Sequence, residues 1–303
     1  MRLTLVVSIA VTTVFFGAPA PAQELTGTLA KIKDIGAITL GHRESSIPFS
    51  YYDDKQKVVG YAMDLCYLIV EAVKKELKKP NLEVRLNPVT SATRIPLIAN
   101  GTVDLECGST TNNLEREKQV SFTITHFVTS NRFVSKKSAN LKTVDDLNGK
   151  TIASTSGTTN IKQITEIAAQ KHLQINIVAT KDHAEGFLMV ETDRAAAYVM
   201  DDILLYSLVA NSKSPGDYVI SADALSVEPY GIMLRRDDPA FKKVVDGEMT
   251  NIYRSGAINA IYEKWFLKPI PPKGINLNVP ISAAFKKVIA NPTDSGDPAA
   301  YAQ

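Results

Sequence analysis

The strongest constraint on the fold is an alternation of short apolar strands with helices of ten to twenty residues, which runs through most of the chain. The helix at 61–79 carries apolar residues at helical spacing and stops before Pro80. The strands are predicted at 36–42, 82–89, 103–109, 149–155, 174–180, 195–202 and 228–234. Strands that alternate with helices of this length predict an α/β fold with mostly parallel sheets.

Two halves of the chain repeat the same arrangement. In the first half a strand runs into Ser91 and the next ends at Ser109; in the second the corresponding positions are His183 and Asp201, also 18 residues apart. All four lie at or just beyond the carboxyl ends of predicted strands, which is the edge where open α/β sheets bind ligands. The repeat therefore predicts two similar lobes that present polar residues at equivalent edges.

The N-terminus has the pattern of a secretory signal peptide. Arg2 precedes an apolar run at 3–16, and Ala20-x-Ala22 forms a small-residue cleavage site. The alternative, a membrane anchor, needs about 18 or more apolar residues, and no such run occurs in the sequence. We therefore predict that residues 1–22 are removed on export.

Bulk properties exclude few functions. The formal charge of +2 falls to +1 once residues 1–22 are removed, and no basic stripe occurs, so nothing points to nucleic acid. Two cysteines, Cys66 and Cys107, predict one disulfide in an exported chain, with two separate buried thiols as the alternative. Residues 291–303 carry little apolar content, which predicts disorder there.

The sequence supports neither a nucleotide-binding site nor a metal site. Gly149-Lys150-Thr151 would need a glycine at position 144 to end a phosphate loop, and that residue is Val144. Four scattered histidines and two cysteines give no metal cluster, so no cofactor is predicted. The segment 154–160 (STSGTTN) at a helix start is either an anion site or a capping turn, and the pattern does not decide between them.

Two sets of polar residues could carry chemistry. Ser109, His183 and Asp201 are the residue types of a nucleophilic triad, but no G-x-S-x-G surrounds Ser109, which disfavours a hydrolase. Each of three arginines in the first half instead follows a strand near one sheet edge: Arg43, Arg94 and Arg116. Because guanidinium groups match carboxylates with two parallel hydrogen bonds, this set predicts a carboxylate-binding site.

Several segments resemble a known family. GHRESSIPFSYYDD, NPVTSATRIPLIANGTVDLECGSTTNNLERE, TSGTT, KDHAEGF, AYVMDD and YGIMLRRDDPAFKK follow the order seen in periplasmic amino-acid-binding proteins of ABC importers, nearest to the glutamate/aspartate-binding branch of solute-binding protein family 3. The resemblance covers essentially all of the mature chain. It implies a type II periplasmic binding protein fold, with lobe 1 at 23–133 and 227–303, lobe 2 at 134–226, and two crossover hinge segments. It also implies a periplasmic monomer that serves a membrane permease.

The resemblance further implies a ligand-binding set that divides into three tasks. The ligand's α-carboxylate would be held by Arg116, Thr111, Thr158 and Thr159. The α-ammonium would be held by Asp201 and Ser109. The side-chain carboxylate would be held by Arg43, Arg94, Ser91 and His183. Three arginines and one aspartate give this set a formal charge of +2, which favours an acidic amino acid over glutamine.

Some relatives pair their second cysteine with a later one near YGxML, where this chain has Ile232, so Cys66–Cys107 is the only intramolecular bridge available. Two other functions remain open on the same fold. One is an exported enzyme of the cyclohexadienyl dehydratase type, with His183 or Asp201 as its acid or base. The other is an amino-acid sensor.

Overall fold

The computed structural model describes residues 25–302, so the predicted signal peptide at 1–22 lies outside the described residues. The strands are β1 (Ala37–His42), β2 (Ser45–Ser46), β3 (Ser50–Tyr52), β4 (Val58–Val59), β5 (Glu83–Pro88), β6 (Leu105–Glu106), β7 (Val120–Phe122), β8 (Phe127–Lys136), β9 (Thr151–Thr155), β10 (Asn176–Thr180), β11 (Ala197–Asp201), β12 (Tyr218–Ile220), β13 (Ser226–Tyr230) and β14 (Met233–Arg235). The α-helices are α1 (Gly27–Ile35), α2 (Tyr61–Leu77), α3 (Arg94–Ala99), α4 (Thr159–Gln170), α5 (His183–Glu191), α6 (Asp202–Asn211), α7 (Pro239–Arg254), α8 (Ala257–Tyr262) and α9 (Ala283–Ala290).

Two mixed sheets organise the chain, which confirms the predicted α/β class, but the expectation of mostly parallel sheets is wrong because only two of four strand pairings in the first sheet and two of five in the second are parallel. The first has the strand order β5-β1-β6-β14-β7, and the second has the order β10-β9-β11-β8-β12 with β13 also paired to β8. In the first sheet β1 is parallel to β5 and β6, whereas β14 is antiparallel to β6 and β7. In the second sheet β9 is parallel to β10 and β11, whereas β8 is antiparallel to β11, β12 and β13. We call the units that carry the first and second sheets lobe 1 and lobe 2; the predicted boundaries at 133/134 and 226/227 fall within β8 and β13, which are strands of the second sheet. The exact lobe boundaries stay a prediction.

The segment 228–234 corrects one prediction. It was expected to form a single strand, but β13 ends at Tyr230 in the second sheet and β14 starts at Met233 in the first. Between them the backbone N–H of Gly231 donates to the Thr110 carbonyl, which diverts the chain from one sheet to the other. Apolar alternation therefore identified extended backbone here but not the change of sheet. The crossover segments β8 and β13 pair with each other in antiparallel register.

The predicted disulfide is confirmed. Cys66 in α2 and Cys107, just after β6, are bonded with their Cα atoms 6.2 Å apart, and both are fully buried. The alternative of two separate thiols is wrong. The bond ties the central strand of lobe 1 to the helix whose apolar face, including Leu65 and Ile69, packs into the lobe's core.

The C-terminal segment is ordered, against the prediction of disorder for residues 291–303. Tyr301 is only 2% exposed, and its hydroxyl lies 2.7 Å from the Thr125 hydroxyl. The Thr125 backbone N–H donates to the Thr293 carbonyl at 2.9 Å. One buried aromatic ring and backbone pairing thus hold a segment whose composition is mostly polar and small. The last described residue is Ala302.

Among residues 25–302, no helix combines the length and the apolar character needed to cross a membrane.

Candidate functional site

A small polar cavity of about 10 Å³, close to the space that one water molecule needs, lies between the two lobes, where the carboxyl ends of their parallel strands face each other. Eight of the ten predicted ligand-binding residues line it: Ser91, Arg94, Ser109, Thr111, Thr158, Thr159, His183 and Asp201. The other two contact this set, because Arg43 donates to the Ser91 hydroxyl at 2.9 Å and Arg116 donates to the Thr111 carbonyl at 2.8 Å. The fold therefore brings all ten residues together.

Two buried arginines form one end of the site. Arg43 follows β1 and Arg94 begins α3, and each is 2% exposed. Burial, and then the charge of Arg94, lower the pKa of Arg43 to about 10, so its guanidinium group stays charged at neutral pH. Burial also lowers the pKa of Arg94, and the charge of Glu106 opposes this shift. Among the described residues, Arg43 Nη1 and Arg94 Nε have no hydrogen-bond partner. This end of the site therefore offers N–H donors to an anion.

His183 completes the arginine end. It is the first residue of α5. The preceding residue, Asp182, caps this helix, because its side chain accepts a hydrogen bond from the Glu185 N–H. Burial, followed by the charges of Arg43 and Arg94, holds the pKa of His183 well below its usual value, so the imidazole is neutral. Its Nε2 atom has no partner in the described part of the chain. A neutral imidazole can donate one hydrogen bond to a carboxylate without adding charge.

Arg116 connects the two lobes beside the cavity. It is 7% exposed, and its Nη2 atom donates to the Gly157 carbonyl of lobe 2 at 3.1 Å. Thr158, the next residue, caps α4: its hydroxyl accepts from the Ile161 N–H and donates to the Thr155 carbonyl. The capping interpretation of this segment is therefore correct, and it leaves free backbone N–H groups at the start of α4 beside Arg116.

Asp201 ends β11 and is 3% exposed. One of its carboxylate oxygens accepts from Asn160 Nδ2 at 2.7 Å, and the other accepts from the Tyr230 hydroxyl. Burial, and next the charge of Glu228, raise the pKa of Asp201 to about 7. Because the group is half ionised near neutral pH, a cation that arrives beside it would convert it fully to the carboxylate.

The lobes are in direct contact around the cavity. Gly157 packs so closely on the backbone of Ser91 and Ala92 that a Cβ atom there would lie 2.6 Å from the Ala92 Cα. On the exposed rim, Lys162 of lobe 2 forms an ion pair with Glu115 of lobe 1. The site is thus built from both lobes and is enclosed by their contact.

Residues 38–268 match the family model of bacterial extracellular solute-binding proteins, family 3. The chain belongs to this family. It is 54% identical to the L-glutamate/L-aspartate-binding protein of Pseudomonas aeruginosa, over 95% of both chains. It is 47% identical to the glutamate/aspartate import solute-binding protein of Salmonella typhimurium, over 92% of this chain and 91% of that one. A solved structure of a mutant of ArgBP from T. maritima superposes with a TM-score of 0.70 at 27% identity, and covers 79% of this chain and 99% of that one. The two-lobe type II fold is therefore confirmed.

Two buried carboxylates in this family 3 protein were missed from the sequence, so the formal charge of +2 is wrong for the site as folded. Glu106, in β6, is fully buried behind the arginine pair, and Glu228, in β13, is 1% exposed near Arg116. With Asp201 they make three carboxylates beside three arginines. Glu106 pairs in register with Gly41, two residues before Arg43, and this pairing cannot be read from the sequence.

The triad arrangement does not occur. His183 Nδ1 faces the hydroxyls of Tyr198 at 3.2 Å and Thr155 at 3.4 Å rather than a carboxylate. Both oxygens of Asp201 are bonded elsewhere, and the Ser109 hydroxyl has no hydrogen-bond partner among the described residues. No base therefore activates Ser109 here, because a triad requires the acid to orient the histidine and the histidine to contact the serine.

Proposed function

We propose that this solute-binding protein captures L-glutamate or L-aspartate between its lobes, where the cavity must widen to hold the ligand, and delivers it to an ABC importer in the periplasm. The observation that carries the proposal is the pair Arg43 and Arg94, which are buried with unbonded N–H groups beside the cavity that Asp201 also lines. An amino acid with a carboxylate side chain supplies an anion for this pair as well as an ammonium group for Asp201 and an α-carboxylate for Arg116. The names of the Pseudomonas and Salmonella relatives support the same ligands.

The zwitterionic end would lie between Arg116 and Asp201. Arg116 and the N-terminus of α4, with Thr158 as its cap and Thr159 as its first residue, would receive the α-carboxylate, since a helix N-terminus favours an anion, and Thr111 would assist. The Asp201 carboxylate would pair with the α-ammonium, which is a common feature of all amino acids.

The other end of the ligand would set the specificity. Arg43, Arg94, Ser91 and the Nε2 of His183 would surround the side-chain carboxylate. Removal of that carboxylate, as in glutamine, would leave a buried guanidinium charge without its ionic partner, which costs several kcal/mol. The free Ser109 hydroxyl lies on the cavity wall and would help to hold the α-ammonium.

Ligand capture would be coupled to closure of the lobes. Arg116 and the arginine pair belong to lobe 1, whereas His183 and Asp201 belong to lobe 2, so a ligand completes its contacts only when the lobes meet. Such differential contact favours the closed state, and periplasmic binding proteins as a class close by hinge motion around their ligands. We expect lobe 1 to comprise 23–133 and 227–303, lobe 2 to comprise 134–226, and the protein to act as a monomer.

The dehydratase alternative is not favoured, because the relatives with high identity are named as binding proteins for transport. The sensor alternative has no observation of its own in its favour. A thermal-shift panel of the twenty amino acids tests the proposal, since a ligand that binds the native state raises stability by mass action. We expect glutamate and aspartate to raise the melting temperature most. A larger shift with arginine or glutamine would contradict the assignment.

A further inference from the structure

Glu106 lies where a carboxylate is unexpected, in the middle of the first sheet. It is in β6, paired with Gly41 of β1 on one side and with Met233 of β14 on the other, and it is fully buried. Ionised side chains are rarely placed so deep unless they are paired. A negative charge on Glu106 therefore requires a cation nearby.

The Glu106 carboxylate faces the arginine pair. The Thr110 hydroxyl donates to Glu106 Oε2 at 2.5 Å and accepts from Arg94 Nη1 at 2.5 Å, so one hydroxyl group links the carboxylate to the guanidinium. On its other side, Glu106 Oε1 packs against the bare Cα of Gly108, where a Cβ atom would collide with Oε1 and approach the Arg43 side chain to 3.0 Å. A glycine at 108 thus leaves room for the carboxylate to stand beside both arginines.

We propose that Glu106 is a specificity-determining residue that acts as a built-in counter-anion of the arginine pair. Arg43 and Arg94 alone would carry +2, and with Glu106 this end of the site carries +1, which one ligand carboxylate neutralises. The charge of Glu106 opposes the lowering of the pKa of both arginines, in agreement with this placement. The inference rests on the proposed function, because it concerns how the site selects a side chain with a single negative charge.

Glu106→Gln tests the inference, because it removes the charge and keeps the shape and one acceptor for Thr110. The measurement is the ratio of the glutamate and glutamine affinities by isothermal titration calorimetry. Removal of a unit charge this near changes the affinity for a charged ligand group by more than tenfold. We therefore expect the variant to bind glutamate more tightly, and the ratio of the glutamate affinity to the glutamine affinity to rise at least about tenfold. A merely structural role predicts instead an equal loss for both ligands.

Two further variants keep the test decisive. Glu106→Asp retains the charge, so its ratio of glutamate affinity to glutamine affinity should stay within about threefold of the wild-type ratio. This variant tests the inference even where Glu106→Gln does not fold. Glu228→Gln removes the charge of another buried carboxylate, near Arg116, and should change both affinities by a similar factor. If Glu106→Gln leaves the ratio unchanged or lowers it, or if Glu106→Asp raises it tenfold, the inference is wrong. If the wild-type protein binds no acidic amino acid, the proposed function itself fails.

Discussion

Replacing Gly157 with alanine should prevent full closure of the lobes. A Cβ atom at this position would lie 2.6 Å from the Ala92 Cα and 2.8 Å from the Ser91 carbonyl carbon, which are backbone atoms that cannot rotate away. To restore an ordinary contact of 3.4 Å, the lobes must separate locally by about 0.8 Å. That movement would break the 3.1 Å hydrogen bond from Arg116 to the Gly157 carbonyl.

The expected loss follows from that bond. A hydrogen bond from a charged donor contributes about 1.5–3 kcal/mol, which corresponds to an affinity about 10- to 100-fold lower for glutamate. Calorimetry measures the affinity, and small-angle X-ray scattering with and without ligand measures closure. We expect Gly157→Ala to show a smaller ligand-dependent decrease in the radius of gyration than the wild type.

Gly149→Ala is the matched control. Gly149 has φ +70° and Gly157 has φ +75°, so alanine is strained at both, but no atom lies within 4 Å of a Cβ at position 149. Both variants should lose about 1–2 kcal/mol of folding stability from the left-handed backbone, and only Gly157→Ala should lose affinity. The reasoning is refuted if Gly157→Ala closes and binds as the wild type does, or if both variants lose affinity equally.

Four further predictions test other parts of the site and fold. The pKa of Asp201 is raised to about 7 and the ligand's ammonium needs the carboxylate, so the affinity should rise with pH up to about 7 and level off above it. Binding should also release a proton, which calorimetry detects as a dependence of the heat on the buffer. No proton release at pH 6.5 would contradict this prediction. By the same shift the ligand-free protein should lose the contribution of Asp201 to stability as pH rises through about 7. Arg116→Ala should weaken every amino-acid ligand, whereas Arg94→Ala should weaken acidic ligands most, and equal losses across a ligand panel would refute that division. Replacing both Cys66 and Cys107 with alanine should lower the free energy of unfolding by about 4 kcal/mol, the value of the chain-entropy model for a separation of 41 residues. Urea denaturation measures this loss. A loss below about 1 kcal/mol would show that the bridge constrains the unfolded chain little.

The sequence was most informative about the sheet edges. Parallel strands end at one edge of a sheet, so Ser91 and Ser109 could be placed at one sheet edge and His183 and Asp201 at the equivalent edge of the other lobe. The structure shows that these two edges line one cavity. The roles of single residues came from the resemblance to family 3 rather than from spacing. Their assignment to parts of a ligand stays a prediction.

What the sequence could not predict depends on contacts distant along the chain. A carboxylate within a strand, such as Glu106, points to either face, and only the packed sheet shows that it lies behind two arginines. The turn at Gly231 depends on a hydrogen bond to Thr110, more than a hundred residues earlier. Tyr301 is likewise held by Thr125, so the low apolar content of its own segment was misleading.

The central claim is that the buried arginine end of the cavity selects a side-chain carboxylate. Isothermal titration calorimetry of the wild-type protein with glutamate, aspartate and glutamine at pH 7.5, which lies above the raised pKa of Asp201 near 7, tests it most directly. We expect tight binding of at least one acidic amino acid and an affinity for glutamine lower by at least ~10³, because a site built for a charged group rejects an analogue that leaves its partners unpaired. Comparable affinities for glutamate and glutamine would contradict the account.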